Sequence, residues 1–221
     1  MRFREERERV LKICIELADR GFVAGTGGNV AIRADAEHFV VTASGVDYYS
    51  MSAADVCVLR LSDNEQVEGD LAPSVESSMH AGVLLNRPEC DASVHTHQPV
   101  ASAYTLLSRP LQVRDPARRS LLGPKVPCVG YAPSGTGLLA ARVARAFKPK
   151  NYACLMRNHG VVCAGKDEAE ALSRIAALES ECAAFFLDCA NENANAGDPS
   201  VRDLVVRTLE TVLGHGTKEA R

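Results

Sequence analysis

His95-Thr96-His97 is the segment of this sequence with the clearest chemical purpose. Side chains on a strand alternate faces, so residues 95 and 97 point the same way, roughly 6 to 7 Å apart along the chain. That spacing lets two imidazoles converge on one ion. A polar pair at a strand end is the plainer alternative. A third histidine stands in a matching context: Leu155-Met156 reads as a buried strand that breaks into the turn Asn158-His159-Gly160. Strand ends are where ligands gather in α/β sheets. Three neutral imidazoles with one position left open describe a catalytic metal site, because a structural site is closed by four protein ligands. Zinc suits this donor set best, with Mn2+, Co2+ or Fe2+ as alternatives. Glu76, in Pro73-Ser74-Val75-Glu76, is the leading acid or base, expected in the first helical turn, where free N–H groups favour negative charge. His80 falls four residues later on the same helical face and reads as a structural histidine.

Two loops can hold an anion. Gly25-Thr26-Gly27-Gly28-Asn29 can turn backbone N–H groups toward one, although it lacks the Lys-Ser/Thr ending of a P-loop. Thr42-Ala43-Ser44-Gly45 is a second such turn, with hydroxyls.

The elements that must position these groups follow from periodicity. Arg4 to Arg20 carries apolar residues at helical spacing, and Gly21 is a natural stop. Val30–Arg33, Phe39–Thr42 and Val56–Leu61 read as strands, with a hairpin turn at Asp63-Asn64. Pro73-Ser74 opens a helix that ends near Asn86 before Arg87-Pro88. Ala92–His97 is a strand, Val100–Leu107 a helix, and Pro110–Pro127 a loop-rich stretch. Gly135–Phe147 has an amphipathic helical pattern, Ala153–Met156 a buried strand pattern, and Asp167 to about Cys189 a long helical one. Asn191–Asp198 reads as a polar turn before a last helix from about Val201 to Leu213. Strands mixed with helices on both faces suggest one α/β domain over residues 1–221.

Composition narrows the class. The 221 residues are 46% hydrophobic and 24% charged, which is ordinary for one globular domain. A net charge of −3 gives no reason to expect nucleic acid as a partner. No apolar run is long enough to span a membrane, and Met1 to Arg9 lacks the apolar stretch of a signal peptide, so a cytoplasmic protein is expected. None of the eight cysteines lies in a Cys-x-x-Cys pair, and several sit in apolar runs. Buried free thiols explain them better than disulfides or a thiolate metal site.

Taken in order, Gly25-Thr-Gly-Gly-Asn29, Thr42-Ala-Ser-Gly45, Pro73-Ser-Val-Glu76, His95-Thr-His97, Tyr131-Ala-Pro-Ser-Gly135 and Asn158-His-Gly160 resemble the class II aldolase/adducin head domain family. The resemblance spans roughly residues 5 to 190. It implies a three-layer α/β/α fold with a central, mainly antiparallel sheet, and a homotetramer. It implies that His95, His97 and His159 hold zinc or a similar ion, with Glu76 as the catalytic carboxylate. It also implies that Asn29, Ser44, Gly45 and Ser74 hold the phosphate of a small-molecule substrate. The implied activity is aldol cleavage, or related C–C lysis, of a small hydroxy-carbonyl compound through a metal-stabilised enediolate. Decarboxylation of a keto or hydroxy acid on the same site, and a non-catalytic interaction module, are the alternatives.

Two positions depart from the family pattern. Val75 stands where the aldolases usually carry a second serine, which removes one hydroxyl. Asp115 stands where a catalytic tyrosine is expected, and no tyrosine follows Tyr152. Asp115 is therefore the candidate replacement acid, and with Arg118 and Arg119 forms either a carboxylate clamp or a solvated charged loop.

Overall fold

The computed structural model describes residues 1–23, 25–148, 151–195 and 199–215. Helix α1 (Arg4–Asp19) buries Val10, Ile13, Cys14 and Leu17 as one stripe at helical spacing. It stops before Gly21, which takes a left-handed φ of 68°. Strands β1 (Asn29–Arg33), β2 (His38–Val41), β3 (Cys57–Arg60) and β4 (Gln66–Glu68) follow as a meander. Asn64, also left-handed, turns β3 into β4.

Helix α2 (Ser77–Asn86) begins later than Pro73-Ser74 suggests. The reason is a local bridge: Ser74 N donates to Thr42 O and Ser44 N to Ala72 O, so this backbone pairs with the 42–44 turn before it can coil. Strand β5 (Ala92–Thr96) and helix α3 (Pro99–Thr105) come next. The stretch from Pro110 to Pro127 is more ordered than a loop, holding β6 (Leu111–Gln112), helix α4 (Pro116–Leu122) and β7 (Lys125–Val126). Pro116 starts α4 where a missing N–H costs nothing, and Asp115 caps it by accepting from Arg118 N. Strand β8 (Cys128–Val129), helix α5 (Gly137–Ala146) and strands β9 (Ala153–Met156) and β10 (Val161–Gly165) complete the sheet. Helix α6 (Glu168–Asn195) runs through most of the expected polar turn, its Ala190 still buried, and residues 196–198 lie outside the described ones. Helix α7 (Pro199–His215) packs on α6.

The sheet has eight strands in the order β4-β3-β2-β1-β5-β10-β9-β8. Its pairs are antiparallel except β8 with β9. Helices α1, α3, α4 and α6 cover one face, and α2 and α5 the other. This is the three-layer α/β/α arrangement with a mainly antiparallel sheet that the motifs imply. Alternation along each strand divides the core: Val30, Ile32 and Val94 join α1 and α6, whereas Ala31, Cys154, Met156 and Val162 join the α2–α5 side. Among the described residues no helix is long and apolar enough to cross a membrane.

Candidate metal centre

The same alternation aims the first histidine. Val94 belongs to the core beneath α1 and α6, so Ser93 and His95 face α2. His97 lies one residue past β5, where Gln98, buried and donating to Ile175 O, anchors the turn. β10 runs beside β5 with Val161 opposite Thr96 and Val162 opposite His95. The β9–β10 turn therefore ends next to the last residues of β5 and delivers His159 there. That turn is tight: Met156 N donates to Gly160 O over 2.9 Å, and Asn158 takes a left-handed φ of 52° that Asn tolerates. At Gly160 a Cβ atom would meet Thr96 O at 2.5 Å and His97 Cδ2 at 2.7 Å, so only glycine lets the histidines close together.

The three rings converge. Their centroids are 4.6, 4.9 and 5.2 Å apart, and one ligating atom from each lies within 4.8 Å of the others. Tetrahedral zinc with Zn–N bonds of about 2.0–2.1 Å needs N···N separations of about 3.3 Å, a spacing small side-chain adjustments reach. His95 Nδ1 is 2.7 Å from Val161 O, so it carries the hydrogen and Nε2 presents its lone pair. That lone pair faces His97 Nε2 at 2.9 Å. A neutral His97 with its hydrogen on Nε2 donates to that lone pair, and a metal held by both rings would take the place of that hydrogen.

Glu76 supplies the charge. It is the N-cap residue of α2, yet its side chain makes no cap and turns to the histidines instead. Oε2 lies 3.2 Å from His95 Nε2, and Oε1 3.3 Å from His159 Nε2. Asn29 Nδ2 donates to Oε2 at 3.0 Å, and Ser134 Oγ to Oε1 at 2.9 Å. Burial works to raise the Glu76 pKa, but His95, Asn29, His159 and Ser134 together outweigh it and hold the carboxyl at about 2. Burial pushes His95 down to about 3 against the pull of Glu76, and lowers His97 as well. A buried carboxylate set against three converging imidazoles is a donor set that a divalent cation fits.

Asn29, Ser44, Gly45 and Ser74 line one cavity of about 160 Å³, and Glu76, His97 and His159 open onto it. The predicted metal and anion residues are thus brought together. Gly28 enables the contact between loop and sheet, since a Cβ there would sit 2.7 Å from His95 O. Val75 also lines this cavity, 63% exposed.

Within one chain Asp115 lies away from the three histidines. It caps α4 and lines a different recess with Arg114, Arg118 and Glu181. Arg118 Nε donates to Glu181 and Arg119 Nε to Val113 O, so neither arginine is a clamp at the histidines. Ser134 was legible only as part of the Tyr131–Gly135 motif, with no signal for its contact with Glu76. His80 is buried as expected, but its ring bonds to Asn29 and Ser93 link it to the site.

This arrangement has known counterparts. The L-fuculose phosphate aldolase of Methanococcus maripaludis is 34% identical over 169 residues, covering 76% of this chain and 89% of that protein. The 5-deoxy-D-ribulose 1-phosphate aldolase of Bacillus thuringiensis serovar kurstaki is 31% identical over 205 residues, covering 91% of this chain and 91% of that protein. A solved L-fuculose 1-phosphate aldolase shares the fold with a TM-score of 0.77, over 93% of this chain and 96% of that one, at 24% identity. The profile described as Class II Aldolase and Adducin N-terminal domain matches residues 8–186, a span that holds the glycine-rich loop, Glu76 and all three histidines. On that match and on the site those residues build, the chain belongs to the class II aldolase and adducin N-terminal domain family.

Proposed function

We propose that the protein is a metal-dependent aldolase that breaks or forms a C–C bond next to the carbonyl of a small phosphorylated hydroxy-carbonyl substrate. The observation that carries this reading is the buried Glu76 carboxyl, facing His95 and His159 and lining one cavity with Ser44, Ser74 and Ser134. His95, His97 and His159 would hold the ion, most suitably zinc, with manganese, cobalt or iron compatible with the same donors. Such a cation supplies Lewis acidity toward a substrate carbonyl oxygen. Glu76 takes a proton from the substrate oxygen or carbon beside it and returns it. Asn29, Ser44, Gly45 and Ser74 would hold the phosphate. Among the described residues no Lys or Arg lines the cavity, so they act as neutral donors beside the ion.

Decarboxylation is the weaker reading, because the arginines that favoured a keto acid are engaged away from this cavity. A pure interaction module has no use for a buried carboxyl set against three converging histidines. We read residues 1–221 as one domain, supported by a sheet that draws strands from both halves of the chain. Exposed Leu106, Leu107 and Leu204 support a homo-oligomer, and the family resemblance suggests a tetramer. None of the eight cysteines is in a disulfide, which supports a reducing compartment such as the cytoplasm.

The test is aldehyde release from L-fuculose 1-phosphate and 5-deoxy-D-ribulose 1-phosphate, with and without zinc. Glu76→Gln should keep the metal and lose roughly 10²- to 10⁴-fold in kcat. Release of CO₂ from keto acids instead, or full turnover by Glu76→Gln, would overturn the reading.

A further inference from the structure

His80 plays no part in the chemistry above, yet it is fully buried with both ring nitrogens engaged. Nδ1 lies 2.7 Å from Ser93 Oγ, and Nε2 lies 2.6 Å from Asn29 Oδ1. Asn29 Nδ2 in turn donates to Glu76 Oε2 over 3.0 Å. The hydrogens along this chain have one consistent arrangement. A carboxylate only accepts, so Asn29 offers Glu76 its NH₂ and offers His80 its carbonyl. A carbonyl only accepts, so the His80 hydrogen sits on Nε2. A neutral imidazole has one N–H, so Nδ1 accepts from the Ser93 hydroxyl. Reversing the Asn29 amide would set Oδ1 against the carboxylate, two acceptors opposed in a buried place. Burial, opposed by Glu76, pushes His80 down to about 4 and so keeps the ring neutral.

The two oxygens of Glu76 are therefore held differently. Oε2 ends a buried chain built on β5, α2 and β1. Oε1 is held by Ser134, whose residue is exposed and lines the cavity. We propose that His80 is a positioning residue for Glu76: with Ser93 it locks the Asn29 amide so that Oε2 is pinned and Oε1 is left toward the substrate. The consequence for turnover rests on the aldolase reading of Glu76, whereas the lock itself does not.

The experiment combines side-chain NMR of the zinc-loaded protein, labelled with ¹⁵N at His and Asn, with kinetics on L-fuculose 1-phosphate. The wild type should show His80 as the Nε2–H tautomer with a slowly exchanging ring proton, and one ordered Asn29 amide. His80→Leu, similar in size but without a donor, should disorder that amide, and His80→Gln should restore it. Turnover should fall roughly 10- to 100-fold in His80→Leu, with KM within about threefold, and largely recover in His80→Gln. An Asn29 amide and kcat unchanged in His80→Leu, or an Nδ1–H tautomer in the wild type, would overturn the proposal. Where His80→Leu does not fold, Ser93→Ala decides: loss of the single tautomer supports the lock, and an unchanged tautomer with an ordered Asn29 overturns it. If the wild type cleaves no sugar phosphate, the aldolase reading fails while the NMR arms still decide the role of His80.

Discussion

Asn29 and His95 stand directly opposite one another across β1 and β5, and both side chains leave the same face of the sheet. The pairing sets an amide N–H and an imidazole nitrogen against one oxygen, Glu76 Oε2, at 3.0 and 3.2 Å. Glu76 comes down onto the sheet from the start of α2 and is only 4% exposed. Asn29 and His95 thus tie the site to the centre of the sheet, while His97 and His159 reach it from the turns after β5 and between β9 and β10.

Removing one imidazole should abolish metal retention. His159→Ala or His95→Ala leaves two histidines, fewer than the three protein ligands of a catalytic zinc site. Elemental analysis of dialysed protein should give close to one ion per chain for the wild type and almost none for either variant. Unchanged metal content in both would mean that the ion binds elsewhere.

Gly160→Ala should loosen the centre without replacing a ligand. Its methyl would fall 2.5 Å from Thr96 O, a backbone atom that cannot swing aside, and 3.1 Å from His95 Cε1. A loss of about 1–3 kcal/mol in urea unfolding, with weaker zinc binding by calorimetry, is the expected result. A variant as stable and as tight as the wild type would show that the β9–β10 turn has slack.

Asp115→Ala separates a cap from a catalyst. Loss of the Asp115–Arg118 N contact should cost about 0.5–2 kcal/mol of stability, with kcat unaffected. A drop in kcat of about 100-fold with the fold intact would restore a chemical role to Asp115.

His80 should make stability depend on pH. Its pKa is 6.5 in the unfolded chain and about 4 when buried, so between those values the unfolded state binds more protons. Stability is then full above the unfolded value and falls with decreasing pH, the loss approaching about 3 kcal/mol once pH is below the folded value. Glu76 is the charged group that favours the protonated ring, and it only partly offsets the burial. Urea midpoints measured from about pH 7 to about pH 4 should drop less steeply in His80→Gln. Parallel curves would show that His80 is not the titrating group.

Val75→Ser should return a hydroxyl to the cavity mouth beside Ser44 and Ser74. One added hydrogen bond, about 1 kcal/mol, predicts inorganic phosphate binding roughly fivefold tighter. Calorimetry with phosphate reads this directly, and unchanged affinity would place the anion elsewhere.

Sequence periodicity alone located α1, β1, β9 and most of the long helix, because an amphipathic stripe or a short apolar run is a local property of neighbouring residues. Residue types and spacing also marked His95, His97 and His159 at strand ends and Glu76 near a helix start, and the order of the family motifs gave them their expected roles. Less visible were events decided by distant pairing. The 42–44 turn captured residues 72–74 and delayed the start of α2, which turned Glu76 from a first-turn residue into one facing the sheet. Register between β5 and β10 brought His159 to His97, and packing of α2 on β1 and β5 made His80 a partner of Asn29. Chemistry was written in the residues themselves. Which oxygen of Glu76 meets which neighbour, and that Asp115 caps a helix instead of joining them, were decided by the tertiary structure, because hydrogen-bond partners far apart in sequence exist only once the strands have chosen their register.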